Sequence, residues 1–92
     1  MNQRPKLELY VVRGCTVCHR AERTLRQCER IRRLIDLSVL ELGANGVSPP
    51  VCVVGGPTTV FRGTIVALGT PDCFELAERL EALLGVKNGM TA

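Results

Sequence analysis

Two cysteines are separated by two residues in the segment Cys15-Thr16-Val17-Cys18 of this 92-residue chain. Alternating apolar residues before them predict a strand over residues 6–12, and a helical pattern follows them. At a helix start, unpaired backbone amides favour the thiolate form of Cys15, which is the form that attacks a disulfide. Cys18, in the first helical turn, can then resolve a mixed disulfide on Cys15. The segment therefore predicts thiol–disulfide exchange, with Cys15 as the nucleophile and Cys18 as the resolving thiol.

Charged side chains flank this pair. Arg13 precedes Cys15 by two residues, and the following helix is rich in arginine, so nearby positive charge favours the thiolate. His19 follows Cys18 directly; it fits an exposed polar position on the helix, and its charged form stabilises a nearby thiolate. We therefore predict Arg13 and His19 as thiolate-stabilising residues.

Two other uses of the cysteines compete with exchange chemistry. Cys15-x-x-Cys18-His19 matches the attachment motif of c-type haem, but an export signal is lacking, the two methionines stand near the chain ends, and four strands are predicted. Structural zinc takes four ligands, and no second Cys-x-x-Cys is present. The alternative that we keep is a metal or iron–sulfur module in which Cys28, Cys52, Cys73 or His19, or the cysteine pair of a second chain, completes the site. For the exchange reaction itself we predict neither a metal nor an organic cofactor.

Hydrophobic periodicity predicts the elements that position the pair. The first helix is expected from Thr16 to about Arg30. Its apolar stripe runs through Val17, Ala21, Leu25, Cys28 and Ile31. Residues 34–42 alternate and predict a second strand, although Ser38 with Glu41 would also suit the capping box of a short helix.

The second half of the chain predicts a hairpin and a closing helix. After a glycine turn at 43–46, Ser48-Pro49 predicts a short helical piece ending at Gly55-Gly56, with an extended Val51–Val54 as the competing interpretation. Residues 58–61 and 64–68 predict a hairpin around Arg62-Gly63.

The closing helix is predicted to begin with Thr70 as its cap and Pro71 in the first helical position, and to end at Gly85. Its core stripe consists of Phe74, Ala77, Leu80 and Leu84. Residues 87–92 are expected to be a frayed tail. The element order β-α-β-(short α)-β-β-α predicts a single α/β domain with a four-stranded mixed β-sheet flanked by helices.

This order, with Cys15-Thr-Val-Cys18 opening a helix and Pro57-Thr58 leading a hairpin strand, resembles the thioredoxin/glutaredoxin superfamily over nearly the whole chain. The resemblance implies a thioredoxin-like fold and a small thiol–disulfide oxidoreductase. It further implies that Pro57 is a cis-proline facing the cysteine pair, with Pro50 as the second candidate. Gly56, Pro57 and Thr58 would then bind the backbone of a protein or small-molecule disulfide substrate, and a thiol reductant or a partner reductase would supply the electrons.

Five cysteines are an odd number, which argues against a disulfide framework. Cys28, Cys52 and Cys73 are expected to be small buried apolar residues, with Cys73 the most open to reaction because it stands at a helix start. The chain begins without a secretory apolar stretch, so we expect a cytoplasmic protein with reduced thiols. No apolar run reaches the roughly 18 residues of a membrane span.

Charge is concentrated in the first helix. Six arginines between Arg20 and Arg33 face only Glu22 and Glu29. Because both glutamates stand four residues before an arginine, a solvated face with intrahelical ion pairs explains much of this pattern. With only three aromatic residues in the chain, a base-stacking surface would be thin, so the sequence disfavours nucleic acid as a partner.

Overall fold

Four strands and three helices build residues 4–85, the part of the chain that the computed structural model describes. In chain order they are β1 (Lys6–Val11), α1 (Thr16–Gln27), α2 (Glu29–Leu34), β2 (Asp36–Glu41), β3 (Thr58–Phe61), β4 (Thr64–Leu68) and α3 (Cys73–Leu84). The predicted hairpin strands have the expected bounds, and residues 36–41 form a strand and not a capped helix. The frayed tail predicted at 87–92 lies outside the described residues.

The strands form one sheet in the order β2-β1-β3-β4. β1 and β2 are parallel, whereas β1 pairs with β3 and β3 with β4 in antiparallel fashion. A parallel pair needs a long crossover, and here α1 and α2 make it. The predicted α/β class with a four-stranded mixed sheet is therefore confirmed. Because β1 and β2 are parallel, their carboxyl ends lie at the same edge, where Cys15 follows β1.

The two faces of the sheet are covered differently. All three helices pack on one face, where Leu7, Leu9 and Phe61 are fully buried. The other face carries a smaller cluster of Tyr10, Val60 and Val53, of which Val53 comes from the loop between β2 and β3. Helices thus cover one side of the sheet, and a loop covers part of the other.

The loop over residues 42–57 corrects two predictions. It contains neither the short helix expected after Ser48-Pro49 nor a strand at Val51–Val54. A turn in which the Val53 amide donates to the Pro50 carbonyl at 2.9 Å aims Val53 inward. Val51 and Val54 are instead 97% and 94% exposed, so Val53 is the one valine of this segment that is buried.

Both helical predictions also need correction. The first helix does not continue to Arg30, because Cys28 adopts an extended backbone and separates α1 from α2. Val17, expected on the apolar stripe, is exposed, since Cys18 takes the inward position in the first turn. α3 begins at Cys73 with Asp72 as its cap, and not at Thr70-Pro71.

In α3, Phe74 is exposed although it was expected in the core. Leu76, Ala77 and Leu80 form the buried stripe, and Leu84 packs partly against the core. The Phe74 ring instead lies under the Arg30 guanidinium, 5.2 Å from its carbon atom. Among the described residues, no helix is both long enough and apolar enough to cross a membrane.

Candidate functional site

Cys15 is the residue that caps α1, as the sequence predicts. Gly14, at φ 74°, turns the chain after β1, and the Cys15 amide donates to the Val12 carbonyl at 3.3 Å. The Cys15 backbone is extended, so its side chain folds back over the helix start and Sγ accepts from the Cys18 amide at 3.1 Å. A sulfur atom therefore occupies the place of the usual capping oxygen, facing otherwise unpaired amides.

Cys18 lies behind Cys15 in the first helical turn. Its side chain is only 3% exposed, whereas Cys15 is half-buried and open to solvent. The Val12 amide points at the Cys18 sulfur, with an N···S distance of 3.5 Å. The Cys15 sulfur is thus accessible at the surface, and the Cys18 sulfur is buried next to it.

The two thiols are perturbed in opposite directions. Hydrogen bonds from the Cys18 thiol and from the Cys18 and Val17 amides lower the pKa of Cys15, against a smaller opposing effect of burial. Burial raises the pKa of Cys18, and so does its interaction with the Cys15 sulfur. Because the thiolate is the nucleophilic form of cysteine, these opposite shifts favour Cys15 over Cys18 as the more nucleophilic thiol.

A cleft of about 260 Å³ opens beside the pair. Cys15 and Cys18 line it together with the end of β1 and with His19, Glu22 and Glu41. The two glutamates are not among the site residues predicted from the sequence. Glu41 could have been found, because it ends the strand parallel to β1 and must lie at the same sheet edge as the cysteine segment.

Arg13 and His19, the two predicted thiolate-stabilising residues, both line this cleft. Arg13 forms an exposed ion pair with Glu41, with a Nε···Oε2 distance of 3.2 Å. The lowered pKa of Cys15 is explained by hydrogen bonds alone, without the charge of Arg13 or His19. The thiolate-stabilising role of these two residues stays a prediction.

The predicted cis-proline is present at position 57. The Gly56–Pro57 peptide bond is cis, and no other cis bond occurs in the described residues, so Pro50 is not the cis-proline. Pro57 is buried, and the Thr58 hydroxyl donates to the Gly55 carbonyl at 2.6 Å, closing the turn that contains the cis bond.

This turn rests against the end of β1. A Cβ on Gly56 would come within 2.8 Å of the Tyr10 carbonyl oxygen and 3.1 Å of the Val11 Cα. Thr58, two residues on, pairs with Tyr10 across the sheet. Only glycine allows the backbone at 56 to approach this closely, and the approach ties the cis-proline turn to the strand that delivers Cys15.

The remaining cysteines differ from the prediction. Cys28 and Cys73 form a disulfide across 45 residues with a Cα–Cα distance of 5.8 Å, so the inference against disulfides is wrong for this pair. The position of Cys28 on the apolar stripe does not distinguish a disulfide from a free thiol in the core, because a disulfide sulfur is as apolar as a buried thiol. Cys52 is a free and exposed thiol, and not a buried one, because the loop places Val53 inward instead.

Within residues 4–85, no group of three or more His, Cys, Asp or Glu side chains could hold a metal ion. The disulfide also removes Cys28 and Cys73 as ligands that could complete a site with Cys15 and Cys18. Comparison with known proteins found no matching family model and no matching curated protein.

Proposed function

We propose that this chain is a small thiol–disulfide oxidoreductase with a thioredoxin-like fold, in which Cys15 attacks and Cys18 resolves. The observation that carries the proposal is the asymmetry of the pair. Cys15 Sγ caps a helix, is open to solvent and has a lowered pKa, while Cys18 lies buried within reach of it with a raised pKa.

The topology supports the fold assignment. The sheet order β2-β1-β3-β4, with a parallel pair formed by crossover and an antiparallel hairpin, agrees with the thioredoxin-like arrangement implied by the sequence resemblance. The cis-proline directly before β3 agrees with it as well. The loop at 42–57 stands where a full helix would complete the second face, so this chain is a reduced version of that architecture.

The reaction follows from the positions of the sulfurs. The Cys15 thiolate attacks one sulfur of a substrate disulfide, forming a mixed disulfide and releasing the other substrate sulfur as a thiolate. The Cys18 sulfur then attacks the Cys15 sulfur of the mixed disulfide, and the Cys18 proton passes to the departing substrate sulfur. A Cys15–Cys18 disulfide forms and the second substrate thiol leaves, so the substrate gains the two electrons that the cysteine pair loses.

The cis-proline turn supplies the docking edge for substrate backbone. Among the described residues, neither the amide nor the carbonyl of Gly56 has a hydrogen-bond partner, although Gly56 packs against β1. An extended substrate segment can satisfy both groups. Gly56, Pro57 and Thr58 are therefore the proposed substrate-binding residues, and the exchange needs no organic cofactor because a thiol reductant or partner reductase restores the dithiol.

Single cysteine substitutions test this division of labour. We expect Cys15→Ser to abolish reduction of a protein disulfide, followed as turbidity or as thiol release. Cys18→Ser should accumulate a covalent mixed disulfide with the substrate, visible as an added mass. Cys52→Ser is the matched control and should keep full activity. Equal residual activity in the Cys15 and Cys18 variants, or stoichiometric metal bound to the pair, would contradict the proposal, and bound metal would favour the metal-module alternative.

The cytoplasm remains the proposed compartment, and the redox state of Cys15 and Cys18 makes that proposal testable. Reducing compartments keep accessible thiols reduced. Rapid alkylation of thiols in intact cells should trap Cys15 and Cys18 mainly as the dithiol if the protein is cytoplasmic. Complete oxidation of this pair in cells would instead indicate an oxidising compartment.

A further inference from the structure

A shallow groove leads away from Cys15 along α1. The cleft beside the cysteines shares His19 and Glu22 with a second depression, which continues to Arg23 and Arg26. Arg26 also lines a cavity of about 510 Å³ at the far end of the helix. Since neighbouring depressions share lining residues, they form one continuous surface, which we call the α1 groove.

The far end of the α1 groove is positively charged. Arg4, Arg26 and Arg32 line the cavity there, and Asp36 is the one carboxylate among its lining residues. Buried or half-buried apolar side chains of Leu25, Ile35 and Leu37 line the same cavity. A ligand seated here would meet guanidinium groups around an apolar surface.

The arginines that line the α1 groove are only partly neutralised by carboxylates. Arg26 pairs with Glu22 at 2.8 Å, but neither Arg23 nor Arg32 has an ion-pair partner among the described residues. Arg4 donates to the backbone carbonyl of Arg32 at 2.8 Å, a contact that brings two guanidinium-bearing residues together without cancelling their charge. Elsewhere on these helices, Arg30 and Arg33 are paired with glutamates.

The end of the groove near the cysteines has a different balance of charges. Both glutamates that line it are paired with arginines, Glu41 with Arg13 and Glu22 with Arg26. No free carboxylate therefore repels an anionic chain on its way from the basic end to the Cys15 sulfur. The groove combines a reactive sulfur at one end with uncompensated positive charge at the other.

Building on the proposed function, we infer that the substrate is a protein whose reactive cysteine is accompanied by an acidic segment, and that this segment binds the basic end of the α1 groove. The spacing follows from helix geometry. Eleven residues of helix between Cys15 and Arg26 span about 16 Å at roughly 1.5 Å per residue. An extended peptide covers that distance in about five residues at roughly 3.3 Å each.

Charge of this kind acts mainly on the rate of association. Complementary potentials raise association rates by roughly 10- to 1000-fold at low ionic strength, and salt removes most of the gain. The formation of the mixed disulfide should therefore be faster for acidic substrates, while the chemistry of the Cys15 thiolate stays the same.

The test uses the full-length Cys18→Ser/Cys52→Ser variant, in which Cys15 is the remaining free thiol. Each model peptide carries one cysteine as a mixed disulfide with thionitrobenzoate, whose coloured thiolate leaves when Cys15 attacks the peptide sulfur. One peptide has three glutamates centred five residues from the cysteine, and its twin has three lysines there. We expect the acidic peptide to react at least about tenfold faster at low salt, with the difference lost at high salt.

Two double variants locate the effect. Arg23→Gln/Arg32→Gln removes two arginines of the groove that are unpaired among the described residues and should abolish most of the preference, whereas Arg33→Gln/Arg62→Gln removes the same charge outside the groove and should leave it. Equal rates for the two peptides, a preference that survives high salt, or equal loss in both double variants would overturn the inference.

A neutral aromatic disulfide serves as the reference substrate. If Cys15 fails to react even with this compound, the proposed function fails. Normal reaction with it and no charge preference would overturn only the acidic substrate.

Discussion

Cys15 and Cys18 lie within one helical turn, whereas Cys28 and Cys73 lie 45 residues apart and join the α1–α2 junction to the start of α3. The first pair is a dithiol at the edge of a cleft, with one sulfur open to solvent. The second pair is a disulfide that belongs to the core packed against the sheet. The same residue type therefore serves two purposes in this chain.

Local backbone geometry explains the difference. An extended residue before a helix presents its side chain to free amides, which is why Cys15 gains a hydrogen bond from Cys18 and a lowered pKa. Cys28 also has an extended backbone before a helix, but its side chain makes no capping hydrogen bond and points into the core. Position at a helix start is thus insufficient for reactivity, because the sulfur must also face both the amides and solvent.

The largest expected effect concerns reactivity within the first pair. At neutral pH, iodoacetamide should alkylate Cys15 roughly tenfold or more faster than Cys18, because Cys15 is the more accessible thiol and its pKa is the lowered one. Its alkylation rate rises with pH as the thiol ionises, and the lowered pKa moves that rise below the pH range of an ordinary cysteine. Mass mapping over a pH series measures both rates, and preferential labelling of Cys18 would contradict the assignment.

The second pair should control stability and leave reactivity unchanged. Replacing Cys28 and Cys73 together by serine removes a cross-link over a long loop, and should lower the free energy of unfolding by about 2–4 kcal/mol. Chemical denaturation measures this loss, with Cys52→Ser as a control that should change stability little. If the double variant lost the fast alkylation of Cys15 while still folded, the two pairs would not be independent.

A glycine substitution should show how much the docking edge contributes to the reaction while both cysteines are left in place. Gly56→Ala places a Cβ against the β1 backbone, so we expect a loss of about 1–3 kcal/mol in stability and slower mixed-disulfide formation with peptides. Gly55→Ala meets no atom within 4 Å and is the matched control. Equal behaviour of the two variants would show that the close approach at Gly56 has no part in substrate docking.

The smallest effect is expected at Arg13. Arg13→Gln breaks an exposed ion pair with Glu41, which costs less than about 1 kcal/mol in stability. We expect the alkylation rate of Cys15 to fall by no more than about twofold, because the exposed charge of Arg13 adds only a weak stabilisation of the thiolate to that of the hydrogen bonds. A larger drop would assign the thiolate stabilisation to Arg13 after all.

Features set by short-range patterns could be predicted from the sequence. The strands of the hairpin, the helix that opens at the cysteine pair and the proline that leads β3 all depend on neighbouring residues and turn chemistry. The disulfide could not be predicted in the same way, because Cys28 and Cys73 meet only through the packing of α3. Neither the short helix expected after Ser48-Pro49 nor the competing strand at Val51–Val54 forms in the loop at 42–57. β-branched valines favour a strand only where another strand can pair with them.

The candidate site also contains residues that short-range patterns predict and residues that only the packing brings together. Cys15 and Cys18 could be selected from their spacing, whereas Glu22 and Glu41 enter the cleft through the crossover of α1 and the parallel pairing of β2. The inward turn of Cys18, which leaves Val17 exposed, also depends on packing and not on the helical period alone.

A redox titration of the metal-free protein would test the contrast between the two pairs most directly. The protein is equilibrated with graded ratios of reduced and oxidised glutathione, alkylated, and mapped by mass for each cysteine. Cys15 and Cys18 should show one reversible two-electron transition, while Cys28–Cys73 stays oxidised throughout it. Reduction of Cys28–Cys73 before the first pair, or no reversible transition at Cys15 and Cys18, would contradict the account.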